Sequence, residues 1–372
     1  MKRSHMNSRE RFVKTLTGQE VDRVPFIPLF GDGYHCVPQW EKENPGLKKN
    51  IRELLKYDSV YRGWQVTPVN VDLSSVPPSV IIEETETKIV RRQGSGMVEI
   101  LVKGADEDYG QCTIEWPVKN KADWDRVRNL HLQADDPSRF PPDWQNYIKE
   151  YKDREYPLQL THRGVYGFTR LMMGDENLSY AMYDEPELIH SIMDTYTDTM
   201  IKLWGKMVKD VEFDLIECWE DMAYKSGSMI SPEAFREFMK PNYEKLSAFA
   251  KQNGIKIILV DCDGYIEDLA GLMLESGITA MYPFEVQAGN NLERVLDKYP
   301  AIGTLGGLDK NAISKTKDDI DREIEKAGKL IRKGRFIPGP DHGVLSDASF
   351  ENFKYFNEQL RKVVLSTKPG HR

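Results

Sequence analysis

Short apolar runs alternate with amphipathic segments of roughly ten to twenty residues from about residue 157 onward. The runs have the length of buried strands, and the segments between them have helical periodicity. This alternation predicts a parallel sheet built from βα units. The six predicted strands are 157–161, 213–217, 256–260, 280–283, 301–305 and 335–338, and the helices between them include 185–209, 232–253, 265–276 and 317–333.

The first 150 residues follow a less regular pattern. The apolar run at 24–30 contains Pro25 and Pro28, so it can form only the opening strand of a barrel or an edge strand. Residues 81–118 alternate apolar and polar side chains on both sides of the turn Gln93-Gly-Ser-Gly96. This pattern predicts a β-hairpin, which we interpret as an insertion.

These elements predict an α/β fold, a single (β/α)8 (TIM-type) barrel with an N-terminal β-hairpin insertion. A closed barrel is favoured over an open doubly wound sheet because no Gly-x-Gly-x-x-Gly turn follows the first strand. A length of 372 residues fits one barrel, and no linker-like segment divides the chain. We expect residues 7–372 to form this one domain and residues 1–6 to be an added leader.

Charge and cysteine usage narrow the class of protein. The formal net charge is −8, and Lys and Arg are interleaved with Asp and Glu, which argues against a nucleic-acid partner. No apolar stretch approaches the roughly 18 residues needed to span a bilayer, so we expect no membrane partner. The four cysteines include no Cys-x-x-Cys pair, which argues against disulfides and indicates a reducing compartment. We therefore expect a cytoplasmic protein.

Polar side chains follow every one of the six predicted strands. In a barrel, functional groups stand at the carboxyl ends of the strands, where the loops shape a site. A carboxylate at such a junction is about as often a helix N-cap as a functional group, and Asp221 and Asp309 are the most open to that interpretation. The candidates are His162, Arg163, Glu217, Glu220, Asp221, Asp261, Asp263, Glu285, Asp309, Asp341 and His342.

The alternation of side chains along two strands separates inward from outward candidates. Around 215–221, Glu217, Trp219 and Asp221 are predicted to face the interior, so Glu217 is a candidate catalytic residue. Around 256–263, Asp261 and Asp263 share one face, which leaves Cys262 on the packing side. Two carboxylates on one strand face repel each other, and burying them requires donors, protonation or a cation.

The two histidines at strand ends are open to both a structural and a catalytic interpretation. His162 directly follows the 157–161 strand. His342 lies in Pro338-Gly-Pro-Asp-His-Gly343, a rigid turn that displays side chains and so strengthens the catalytic interpretation.

Several motifs together resemble the uroporphyrinogen decarboxylase superfamily. The resemblance covers residues 8–366, is strongest after residue 155, and implies a (β/α)8 barrel. The motifs are Val21-Asp-Arg-Val-Pro25, Trp116-Pro-Val with Trp124, Glu220-Asp221 followed by Ile230-Ser-Pro-Glu-Ala-Phe235, Gly306-Gly-Leu-Asp309, and Pro338-Gly-Pro-Asp-His-Gly343.

Within that superfamily, the chain is more similar to the corrinoid-dependent methyltransferases than to the true decarboxylases. Decarboxylases have arginines just after the first strand that bind the substrate carboxylates. Here the corresponding stretch, 30–36, contains no arginine and instead carries Asp32. Thiol-methylating members bind zinc through a His-x-Cys pair and a later Cys, and these positions fall at Asp261-x-Asp263 and at Asp341 or His342. The resemblance therefore implies at most an oxygen-rich metal site.

The leading hypothesis is an O-demethylase-like methyltransferase that transfers a methyl group from a small methyl ether or similar donor to a corrinoid. The corrinoid is expected on a partner protein, because the chain has no cobalamin-binding Asp-x-His-x-x-Gly segment. The alternatives are a decarboxylase or lyase acting on a small carboxylic acid, held by Arg163 or Arg170, and a barrel that binds a ligand without turnover. A homodimer is left open.

The predicted site residues follow from these interpretations. The predicted catalytic residues are Glu217, Asp263, His342 and His162; the predicted substrate contacts are Asp32, Arg163, Trp219, Asp221, Glu285 and Asp341; and the candidate metal ligands, for zinc or a harder cation, are Asp261, Asp263 and His342.

Overall fold

The computed structural model describes residues 6–31, 33, 36–58, 63–105 and 110–371. The strands in this part of the chain are β1 (Gln65–Val66), β2 (Val80–Glu84), β3 (Lys88–Arg92), β4 (Val98–Val102), β5 (Gln111–Glu115), β6 (Leu158–His162), β7 (Leu215–Trp219), β8 (Ala223–Tyr224), β9 (Gly227–Ser228), β10 (Ile257–Asp261), β11 (Ala280–Tyr282), β12 (Gly303–Leu308) and β13 (Phe336–Pro340).

The helices are mostly placed between the strands of the second half. They are α1 (Ser8–Leu16), α2 (Val37–Glu43), α3 (Leu47–Leu55), α4 (Lys121–His131), α5 (Trp144–Lys152), α6 (Val165–Met173), α7 (Asp175–Asp184), α8 (Pro186–Met207), α9 (Pro232–Ala234), α10 (Lys240–Gln252), α11 (Ala270–Glu275), α12 (Leu292–Lys298), α13 (Lys317–Lys333) and α14 (Phe350–Ser366). No helix in the described ranges is both long and apolar enough to cross a membrane.

A curled parallel sheet of seven strands forms the centre of the α/β fold. The strand order is β1-β6-β7-β10-β11-β12-β13, and every neighbouring pair is parallel. Parallel neighbours require crossover connections, and the helices after β6 supply them. Each of the six strands predicted from residue 157 onward corresponds to one of these strands, displaced by two residues or fewer at its start.

Side chains on the two faces of this sheet enter two different apolar clusters. Leu215, Leu259 and Ile337 belong to an inner cluster on the concave side. Ile216, Val260 and Phe336 belong to a larger cluster that packs against the helices. The alternation expected for β7 and β10 is therefore the observed one, and it directs the functional groups at the strand ends to the inner side.

The prediction that residues 24–30 form the opening strand or an edge strand is wrong. The segment forms no strand of the sheet, so seven hydrogen-bonded strands are described and not eight. Pro25 and Pro28 lack the N–H groups that a strand ladder needs. The segment still packs inside the sheet, because Ile27 and Leu29 are buried in the inner cluster.

The predicted hairpin is part of a larger antiparallel sheet of four strands, in the order β2-β3-β4-β5. Lys88–Arg92 and Val98–Val102 pair around the turn at 93–96, with Arg91 opposite Glu99. The Glu99 carboxylate is fully buried and accepts hydrogen bonds from Arg91 and from the amide of Gln93. That this sheet is an insertion into a barrel stays a prediction.

Candidate active site

A cavity of about 320 Å³ lies at the carboxyl ends of the sheet strands. Its acidic lining comes from the ends of β7 and β10 and from the residues that follow them. The turn after β13 supplies an imidazole, and the end of the 24–30 segment closes another side. The lining residues are Phe30, Gly31, Trp219, Asp221, Asp261, Asp263 and His342.

Tyr282 joins two partly buried carboxyl groups at the wall of this cavity. Its hydroxyl oxygen lies 2.5 Å from Glu217 Oε1 and 2.7 Å from Asp261 Oδ2. One phenol carries one proton and can donate it to only one carboxylate, so the second contact needs a proton on a carboxyl group. Burial, followed by the charge of Glu217, raises the pKa of Asp261 well above its ordinary value. The geometry and the raised pKa of Asp261 both favour a proton shared within this pair.

An aspartate and a histidine form the more exposed side of the cavity. His342 Nε2 lies 3.5 Å from Asp263 Oδ2, and the His342 ring stacks on Phe30 with a centroid separation of 5.0 Å. The hydrogen bond to Asp263 raises the pKa of His342 above its ordinary value. The Asp263 side chain is 42% exposed, so this side opens to solvent.

Asp221 is held at the cavity rim in a strained backbone conformation, with φ of 41°. Its carboxylate accepts the backbone N–H of Asp263 at 3.2 Å and a hydrogen bond from Arg170 at 3.3 Å. Burial, followed by the charge of Asp263, raises the pKa of Asp221. The Arg170 guanidinium also lies 5.4 Å from the centre of the Trp219 ring, so one cation is bound by both side chains.

Glu220 positions the end of β7 without entering the cavity. Its fully buried carboxylate accepts the backbone N–H groups of Val165, Tyr166 and Gly167 at the start of α6, and the hydroxyl of Tyr243. The negative charge thus caps a helix N-terminus. A Cβ on Gly167 would lie 2.1 Å from the Trp219 carbonyl oxygen, so glycine is needed for this close approach.

Two of the predicted site residues lie away from the cavity. His162 is the last residue of β6 and points to the outer side, where its fully buried ring packs 4.8 Å from Tyr196 and 5.8 Å from Trp204. Neither ring nitrogen has a hydrogen-bond partner among the described residues, and burial lowers its pKa to about 3. Arg163 forms a two-pronged ion pair with Asp72, at 2.6 and 2.8 Å. The structure does not bring either side chain to the cavity lining.

Two further predicted substrate contacts hold loops together. Asp341 is fully buried and accepts the backbone N–H groups of Val286 and Lys310, and burial raises its pKa to about 6. Glu285 accepts the Gly264 N–H and pairs with the Lys310 ammonium, each at 2.9 Å. Neither carboxylate lines the cavity. Asp32, also predicted to contact substrate, lies outside the described residues.

The three candidate metal ligands do not form a coordination site in this arrangement. Within the described ranges, no three His, Cys, Asp or Glu side chains are grouped as a metal site. Asp261 is hydrogen-bonded to the Tyr282 hydroxyl, whereas the side chains of Asp263 and His342 contact each other. Because zinc requires deprotonated ligands that converge on one point, the residues as placed do not fit it.

Sequence reasoning missed Tyr282 and Phe30. Alternation along 280–283 would have directed Tyr282 to the interior with Ala280, since both belong to the inner cluster. Its role depends on contacts with β7 and β10, which the local pattern does not contain. Phe30 ends the proline-containing run, where no strand phase is defined.

Comparisons with known proteins agree with this fold. The family model described as "Uroporphyrinogen decarboxylase (URO-D)" matches residues 105–363. A methyltransferase from Methanosarcina mazei has a similar structure, with a TM-score of 0.61 and 15% identity, covering 96% of this chain and 99% of that one. At this identity the likeness supports the fold alone.

Curated relatives are distant. A uroporphyrinogen decarboxylase from Prochlorococcus marinus subsp. pastoris is 22% identical over 184 residues, covering 49% of this chain and 50% of that enzyme. The chain thus aligns with only about half the length of this relative. The enzyme of the same name from another Prochlorococcus marinus strain is 20% identical over 332 residues, covering 84% of this chain and 91% of that enzyme. Because the family model covers more than half of the sequence, the chain belongs to the uroporphyrinogen decarboxylase (URO-D) family.

Proposed function

We propose that this chain is a methyltransferase-like enzyme that transfers a methyl group from a small donor, a methyl ether or similar compound, to a corrinoid on a partner protein. The proposal is carried by the contacts of Glu217 and Asp261 with one Tyr282 hydroxyl at the cavity wall, which favour a proton on this pair. An ether oxygen is a poor leaving group unless it gains a proton as its bond to the methyl carbon breaks. A positioned acid supplies that proton.

Asp261 is the proposed acid. It lines the cavity, and burial beside Glu217 raises its pKa, which favours its protonated form. As the methyl carbon–oxygen bond breaks, its electron pair stays on the oxygen, the Asp261 proton forms the new O–H bond, and an alcohol leaves. Tyr282 and Glu217 position this acid and stabilise the carboxylate that the step produces.

Other lining residues hold the donor. Trp219 and Phe30 offer apolar contact, while Asp221, Asp263 and His342 offer polar contacts. Asp32 stays a predicted contact. Glu285 and Asp341 would act through the loops that they hold, and we assign no catalytic role to His162 or Arg163.

The acceptor must reach the donor from outside the chain. The described residues fit such an approach, since Asp263 is 42% and His342 30% exposed beside the cavity. When bound, the corrinoid supplies a nucleophilic metal that takes up the methyl group.

Decarboxylation of a small acid is the weaker alternative. It needs a cation to hold the substrate carboxylate, but Arg163 is paired with Asp72 and Arg170 with Asp221. The aspartates of the lining would repel the substrate. Binding without turnover is the third alternative.

The test combines the full chain, free cob(I)alamin and a set of small methyl donors. Loss of the cob(I)alamin absorbance and release of the demethylated alcohol are expected. Glu217→Gln should reduce turnover at least about a hundredfold, because Asp261 would lose the partner that keeps it an effective acid, and the unfolding midpoint should not change. Asp210→Asn is the control and should retain full activity, since the Asp210 side chain is exposed and has no side-chain partner among the described residues. Carbon dioxide release from small acids without methyl transfer would establish the alternative.

A further inference from the structure

The cavity has more carboxylates than cations. Glu217 and Asp261 both contact the Tyr282 hydroxyl, and neither pairs with a cationic side chain among the described residues. Arg170 pairs with Asp221, and the His342 ring lies 3.5 Å from Asp263. In the described part of the cavity wall, carboxyl groups therefore outnumber cationic groups.

The other cationic side chains near the cavity, in the described part of the chain, are already paired. Arg163 is engaged by Asp72 through two hydrogen bonds. Lys310 is engaged by Glu285, and both of these side chains are largely buried. Because each cation is held by its own carboxylate, the field inside the cavity stays negative and disfavours anionic ligands.

The walls of the cavity are aromatic as well as acidic. Phe30 and Trp219 both line it. The Arg170 guanidinium lies over the Trp219 ring while pairing with Asp221, so this combination of groups already binds one cation in the protein. Aromatic faces beside carboxylates are the chemistry that binds alkylated ammonium groups, whose methyl groups contact the rings while the charge is balanced. A bare metal ion would leave the rings unused.

We infer that the ligand of this cavity carries an alkylammonium group, bound between the carboxylate of Asp263 and the rings of Phe30 and Trp219. A volume of about 320 Å³ limits it to a small molecule. The inference rests on the proposed function for the reaction itself and names the class of donor, a small methyl ether that bears an ammonium group.

Binding to the full chain, without corrinoid or turnover, tests this class directly. Choline and its neutral carbon isostere 3,3-dimethylbutan-1-ol form one matched pair, and O-methylcholine and 1-methoxy-3,3-dimethylbutane form the second. Isothermal titration should show each ammonium ion binding about tenfold or more tightly than its isostere, the size expected for a desolvated cation–π contact.

Two variants test whether the ammonium group binds in this cavity. Asp263→Asn should weaken ammonium binding about tenfold and leave the neutral isosteres unchanged, because only the charge is removed. Trp219→Leu should weaken it through loss of the ring. Asp210→Asn is the control for a change in net charge and should have no effect.

Each result decides one of the two proposals. Equal affinities within both pairs, or no saturable binding of either ammonium ion, would overturn the inference. Methyl transfer from neutral ethers with such a result would leave the proposed function intact. Selective ammonium binding with no methyl transfer from O-methylcholine would support the ligand class and count against the proposed function.

Discussion

At the scale of single residues, one step along the chain decides whether a side chain at the end of β10 belongs to the cavity. Asp261 faces inward and lines the cavity. The neighbouring Cys262 is fully buried on the outer side, where its sulfur accepts the backbone N–H of Met222. Burial raises the pKa of Cys262 well above its ordinary value, so its thiol is not a nucleophile at neutral pH.

Cys262→Ser should therefore retain substantial methyl-transfer activity. The serine oxygen can accept the same N–H, and the smaller side chain should cost about 1 kcal/mol of the free energy of unfolding. Activity per folded chain and urea unfolding measure the two effects. A complete loss of activity with unchanged stability would mean that the sulfur takes part in the chemistry.

His162 should make the stability of the fold depend on pH. Its pKa is about 3 in the folded chain and near the ordinary 6.5 after unfolding, so the unfolded chain binds this proton first. The stability that the neutral ring contributes is complete above pH 6.5 and is lost progressively as the pH falls toward 3. His162→Phe, which keeps an aromatic ring against Tyr196 and Trp204, should remove this dependence.

Urea unfolding at several pH values tests the effect. Between about pH 6 and 4, the slope of unfolding free energy against pH should be shallower in the variant by up to about 1.4 kcal/mol per pH unit. His190→Phe, at a partly exposed ring on α8, is the control. Parallel pH profiles for the wild type and His162→Phe would show that the buried ring takes up a proton without unfolding.

At the scale of elements, Glu220 fastens the N-terminus of α6 to the end of β7. Glu220→Ala would leave three buried N–H groups and the Tyr243 hydroxyl without their acceptor. We expect a loss of about 3 kcal/mol or more in unfolding free energy. Glu176→Ala, at the exposed first turn of α7, should cost less than about 1 kcal/mol. Full stability with lost activity in Glu220→Ala would instead assign the carboxylate to the reaction.

The elements that the sequence predicts best are those with a regular local pattern. Strands such as β7 and β10 alternate clearly, so both their positions and their inward faces are predicted correctly. The segment 24–30 is apolar enough for a strand, but its prolines prevent the ladder. The antiparallel sheet has four strands, two more than the predicted hairpin. The outer strands β2 and β5 are not predicted, because their side chains are mostly exposed and their alternation of apolar and polar residues is weak.

The site is less predictable than the fold because its contacts join distant parts of the chain. Arg163 is at a strand end, where a substrate contact is expected. It instead forms an ion pair with Asp72, which lies 91 residues earlier in the chain. His162 is one residue before Arg163 and falls on the outer face by alternation. Tyr282 acquires its role from carboxylates on two other strands. The contacts of Arg163 and Tyr282 cannot be predicted from local periodicity, because their partners lie far away in the sequence.

At the scale of the whole molecule, the charge of the protein determines which class of ligand it attracts. The protein has a formal net charge of −8, and its cavity is also acidic. Both features favour cationic ligands. A polycarboxylate ligand would instead need arginines in the cavity to bind its carboxylate groups. They also bear on metal binding, since carboxylates attract cations in general but do not select zinc.

The metal content of the purified chain is the last property that we predict. Asp261, Asp263 and His342 offer oxygen ligands and one imidazole, a set that binds zinc more weakly than thiolates do. Burial raises the pKa of Asp261, and its carboxyl group contacts Tyr282, so a metal would compete with a proton and with Tyr282 for this ligand. Elemental analysis of protein purified without added metal should find well under one zinc per chain.

Variants distinguish this expectation from a metal-activated mechanism. Asp263→Ala should change methyl transfer and ammonium binding more than it changes bound metal, because the carboxylate acts on the donor in our proposal. Asp210→Asn should change none of the three. Stoichiometric zinc that disappears in Asp263→Ala or His342→Ala would overturn the expectation. The three residues would then have to rearrange around the ion, with Asp261 giving up its contact with Tyr282, and the proton for the leaving oxygen would need another source.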